Sequence, residues 1–196
     1  GDARQYADTL KSLALEYGVN ANELVLSAAD YRRSGNEIAE SLDLVKLSLD
    51  LVLAGGISAA DATDLLRASL AGFQIDSSGT VAAATRIGDV LNYIADNSEA
   101  SFSELGNGFR DIAPVAKLAG LSFEEVAAYL AVVIAVGNSG AEAANGLGVS
   151  FARLIGPTGE AAEVMKELGV RFDESGKPIG NVKAILESMI PSWDKL

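Results

Sequence analysis

Residues 113–148 read APVAKLAGLSFEEVAAYLAVVIAVGNSGAEAANGLG, and the eleven positions from Val126 to Val136 decide the fold: Val, Ala, Tyr, Leu and Ile with no charge. As a helix this run is apolar on every side rather than along one stripe, so the expectation is a core helix surrounded by others. Its limits are legible in the flanking residues. Gly120 suits the left-handed residue that closes a preceding helix, and Ser122 with Glu125 is the capping-box pair that opens the next. Gly137, Asn138, Ser139 and Gly140 then break the run and offer a new N-cap.

Outward from this stretch the same grammar repeats. Toward the N-terminus, Tyr6, Leu10, Leu13, Ala14 and Tyr17 share one face of a first helix, and Asn20 with Glu23 opens a second that ends at Arg32 and Arg33. A third is expected from about Asn36 to Leu53, a fourth capped by Ser58, and a fifth from about Thr80 to Ala95 after a loop over Ile75–Gly79. Ser101 and Glu104 open a sixth. In it Gly106, Gly108 and Pro114 predict a kink or a split near Ile112. Beyond the central stretch come a small-residue helix, Ala141–Ile155, a helix begun at Thr158 and closed by Gly169, and a last one over NVKAILESMI. Val170–Phe172, a turn through Gly176, and Lys177–Ile179 predict a short β-hairpin whose Pro178 confines it to an edge. The expectation is therefore an all-α fold of about 8–10 short helices with one small β-hairpin at about 170–179. Two subdomains are expected, 1–78 and 79–196.

Composition narrows function by exclusion. With 49% hydrophobic but only 6% aromatic residues, the core must be built from Ala, Leu, Val and Ile, which suits closely packed helices. The net charge of −12 is spread along the chain and argues against a nucleic-acid surface, which needs clustered Lys and Arg. There is no Cys and no His, so thiolate or imidazole metal sites, Cys nucleophiles and His-based triads are excluded within these residues. No basic region precedes an apolar block, so no signal peptide is read. The chain begins at Gly1 without Met and reads as a piece of something longer. The longest uncharged apolar run falls short of the roughly 20 residues that cross a bilayer.

The acid–base candidates are Glu124–Glu125, Glu160–Glu163 and Asp173–Glu174, all at helix starts or in a turn, where carboxylates serve capping. Glu40–Ser41 lacks the surroundings of a lytic transglycosylase. Gly146-Leu147-Gly148 follows no strand, which excludes a phosphate-binding loop, and Asp173–Lys177 lacks EF-hand spacing. No catalytic residue, cofactor or metal is expected. Ala143, Ala144, Gly146, Leu147, Val149 and Ser150 are the candidate interface, because small residues let another helix approach closely.

The ordered series Pro114, Ala116, Gly120, Leu121, Ser122, Glu125, Gly137, Ala143, Leu147, Leu154, Pro157, Gly169 and Val170 resembles the core region of phage tail tape measure proteins. The likeness extends loosely back to about Ser58 and forward through Gly176. It departs at Ala144, where that family often has Gly, and at Gly148, where it often has a basic residue. The resemblance implies a structural virion protein of the tail lumen, made in the host cytoplasm, with roles in tail assembly, tail-length determination and genome ejection. It implies tail tube, baseplate or tail-tip proteins and tail assembly chaperones as partners, bound through Ala141–Ile155 or an edge near the hairpin. A homo-oligomer is left open, no nucleic acid is expected, and membrane contact is expected only during ejection. The alternatives are a membrane-perturbing ejection segment and a domain associated with a cell-wall hydrolase.

Overall fold

A computed structural model describes residues 2–73 and 79–195. Among them are ten α-helices: α1 Asp2–Tyr17, α2 Ala21–Arg33, α3 Ile38–Gly55, α4 Ala59–Gly72, α5 Thr80–Asn97, α6 Phe102–Leu118, α7 Phe123–Ala135, α8 Gly140–Ile155, α9 Gly159–Glu167 and α10 Val182–Met189. A 3-10 turn, Ile190–Lys195, follows. The loop expected over Ile75–Gly79 lies, apart from Gly79, outside the described residues.

Helix starts follow the local chemistry of the sequence. Ser101, Ser122 and Ser139 each accept the backbone N–H three residues on, while Glu104, Glu125 and Glu142 accept the serine's own N–H. Each box satisfies two donors that a helix N-terminus leaves orphaned. Asn20, Ser58, Thr158 and Asn181 cap α2, α4, α9 and α10 with one side-chain bond each. The third helix starts slightly later than expected, because Glu37 takes the cap position and Glu40 accepts its N–H at 3.0 Å.

The central helix is α6 and not α7. It packs most extensively on α8 on one side and on α4 on the other. It buries Leu105, Phe109, Ile112 and Ala116. Phe109 stacks on Phe123 of α7 at 4.4 Å, and Phe73, just beyond α4, meets both rings edge-on. Of the kink or split expected near Ile112, the split does not occur, since α6 is continuous through Pro114. Pro114 and Arg110 both lie on the exposed side of α6, where water can take the place of the donor that the Arg110 carbonyl loses.

The reading of α7 as covered on every side is also corrected. Val126, Ala127, Leu130 and Ile134 are buried, but Val132 is 66% and Val136 76% exposed. Helices α5, α6 and α8 are its neighbours, and α7 runs along the edge of the group. An all-apolar helix can be buried all round; only the number of neighbours decides whether it is.

In the N-terminal half, a buried polar cluster ties three helices together. Tyr31 of α2 and Ser48 of α3 share a hydrogen bond of 2.7 Å between hydroxyls, and Thr63 of α4 donates to Ser27 of α2 at 2.8 Å. One apolar core extends from Leu10 to Val182, and a small second one joins Met165, Leu168, Val170, Ile185 and Met189.

The expected β-hairpin is absent, and no strand forms among the described residues. Phe172 and Pro178 make a single antiparallel bridge, flanked by Asp173 N–H to Lys177 O and Ile179 N–H to Arg171 O, both 2.8 Å. Pro178 has no N–H to extend a ladder. Asp173 Oδ1 instead gathers the Ser175 N–H, the Ser175 hydroxyl and the Lys177 N–H, so a side chain organises the turn. These bonds hold the Asp173 carboxyl below its usual range, the Lys177 backbone donor contributing most.

Candidate helix interface

The candidate helix α8 crosses α6 at a close backbone approach at its N-terminal end. A Cβ placed on Gly140 would lie 1.9 Å from the Glu104 carbonyl oxygen. A Cβ on Gly108 would lie 2.9 Å from Leu130 Cδ2 and 3.1 Å from the Gly140 carbonyl oxygen. Both glycines are buried, and their lack of a side chain permits the crossing. Reading Gly108 from sequence as a weak point in α6 missed this. The signal was the pair itself: a glycine inside one helix and another opening a nearby one.

This geometry divides the six candidate residues. Ala143 and Ala144 are buried, 0% and 2% exposed, and belong to the core. Leu147 is half-buried against that core. Gly146, Val149 and Ser150 lie exposed on the outer side. Next to them a shallow groove runs between α6 and α8, lined by Asp111 and Val115 from one and Ala144, Asn145, Gly148, Val149 and Ala152 from the other. Its walls are small and mostly apolar, which fits a packing surface and offers no convergent acid, base or nucleophile.

Four of the six carboxylates singled out by proximity, Glu124, Glu125, Glu163 and Asp173, have structural partners. Glu124 pairs with Arg86 at 2.6 Å; Glu125 accepts the Ser122 N–H at 3.0 Å and pairs with Lys183 at 3.2 Å. Glu163 pairs with Lys166 at 2.8 Å. Glu142 is held below the usual carboxylate range, first by the Ser139 backbone N–H and then by its hydroxyl. No group of three or more metal-ligating side chains occurs among the described residues, and none of their helices is long and apolar enough to cross a membrane.

The sequence profile of the phage-related minor tail protein family matches residues 7–196. The chain belongs to that family. It is 31% identical over 163 residues to the probable tape measure protein of Escherichia phage P2, covering 83% of this chain and 20% of that protein. It is 28% identical over 175 residues to the tape measure protein of Pneumococcus phage Dp-1, covering 87% of this chain and 15% of that protein. The chain thus spans a fifth or less of the length of these relatives. No solved structure matches it. As a member of this family it is a structural phage tail protein.

Proposed function

We propose that the chain is a compact module carried by a tail tape measure protein, distinct from the extended ruler that sets tail length. The observation that supports this is helix length. The longest helices among the described residues, α3 and α5, have 18 residues each, about 27 Å at 1.5 Å per residue. A ruler advances by uninterrupted helix, whereas this chain turns back every few turns.

In this reading the module sits in the tail lumen, and its parent takes part in assembly, length determination and genome ejection. Its outer faces, α8 above all, meet tail tube, baseplate or tail-tip proteins, or the chaperones of assembly. The two helical subdomains, 1–78 and 79–196, would share their apolar core and act as one docking body.

In-frame deletion in the parent phage, with tails measured by electron microscopy, tests the reading. If these 196 residues were ruler, tails would shorten by about 290 Å. The module reading expects no such proportional shortening: tails keep their length or fail to assemble. Tails shortened by that amount would refute it.

A further inference from the structure

The outer face of α8 carries a pattern that reads the same in both directions. Glu142, Gly146, Val149 and Arg153 follow one another at spacings of four, three and four residues, which places all four on one exposed stripe of the helix. Reversing the helix exchanges Glu142 with Arg153 and Gly146 with Val149. We propose that this stripe pairs, antiparallel, with the same stripe of a second copy of the chain. The inference rests on the structural tail role proposed above and names a partner for the same helix.

Three observations argue for a second copy. Opposite charges stand at the two ends of the stripe, so an antiparallel pair sets each Glu142 against the partner copy's Arg153, whereas a parallel pair would set like against like. Arg153 makes no ion pair among the described residues, and the bonds that Glu142 accepts through its side chain all go to Oε2, leaving Oε1 open. The centre is complementary in shape. Nothing lies within 4 Å of a Cβ placed on Gly146, and Val149, 44% exposed, is the side chain that the reversal brings over that space. Within its own chain Gly146 weakens α8 and has no packing role; against a second α8 its absent side chain receives a knob.

A single helix crossing covers less than the roughly 1,600 Å² of a standard interface. Association is therefore weak in solution and is read at high protein concentration.

The test is charge complementation in sedimentation equilibrium, with circular dichroism confirming that each variant is helical. Arg153→Glu and Glu142→Lys each turn both end pairs into like-charge contacts and should weaken self-association by about tenfold. Mixed one to one, the two variants regain both opposite-charge contacts and should associate as the unaltered chain does, less so at high salt. Because the chain has no Cys, a disulfide between Gly146→Cys and Val149→Cys copies, forming faster in the mixture than in either alone, gives a second reading of register. A mixture that associates no better than its components, with no preferred mixed disulfide, overturns the pairing. It would leave the tail role untouched, since the deletion experiment tests that separately.

Discussion

Replacing Gly140 by Ala tests whether backbone contact holds α8 on α6. The added methyl carbon would fall 1.9 Å from the Glu104 carbonyl oxygen, 2.6 Å from the carbonyl carbon and 2.9 Å from Cα. All three are backbone atoms inside a capped helix, so no side chain can rotate away. To restore an ordinary contact, α8 must back off by more than 1 Å, loosening Ala143, Ala144 and Phe151 from the core. Overpacking of this kind costs about 1–3 kcal/mol. Against it stands the helix preference of Ala over Gly, about 1 kcal/mol in a helix interior and less at a first helical position. The net expectation is a loss of about 1–2 kcal/mol, read as a lower urea midpoint with unchanged slope. Gly146→Ala is the matched control on the same helix, because nothing surrounds its Cβ position. There the helix preference acts alone, and a gain of about 0.5–1 kcal/mol is expected. If Gly140→Ala were as stable as the parent, or both variants shifted in the same direction, the backbone-contact argument would be wrong.

Two further outcomes follow from the packing. Gly120 has φ +67°, and a Cβ there would lie 3.0 Å from Asn181 Cβ. Gly120→Ala should therefore cost about 1–2 kcal/mol, and hydrogen exchange at the Val182 N–H, which donates to the Ala119 carbonyl at 3.1 Å, should accelerate more than exchange in α3. At the other end of the chain, burial pushes the Tyr31 hydroxyl up to about 12 from an ordinary 10.0, its hydrogen bonds with Ser48 and Thr63 opposing the shift. The folded value lies above the unfolded one, so this contribution is complete below pH 10 and is lost as pH climbs from there toward 12, about 3 kcal/mol at most. Tyr31→Phe should make the alkaline fall of stability shallower; an unchanged slope would show that Tyr31 is not the group responsible.

Much of this architecture was written locally. The boxes at Ser101, Ser122 and Ser139 close within three residues, so their donors and acceptors meet whatever else the chain does. The same locality made the ordered run of caps, glycines and prolines recognisable as a tail protein pattern. Failures came where a distant partner decides. Gly108 and Pro114 look alike as helix breakers, yet one leaves room for the Leu130 side chain and the other sits on the exposed side of the helix, and α6 continues through both. Val170–Ile179 alternates like a hairpin, but three hydrogen bonds to Asp173 Oδ1 and a proline without a donor leave only one bridge.

By itself the sequence determined the side-chain caps that start most of the helices, and the absence of thiol and imidazole chemistry, because these depend on residue identity and contacts within a turn. Tertiary structure alone decided that α6 and not α7 is central. It also decided that Ala143 and Ala144 face inward while Glu142, Gly146, Val149 and Arg153 face out. Periodicity states which residues share a face; only the count and placement of neighbouring helices states whether that face is covered.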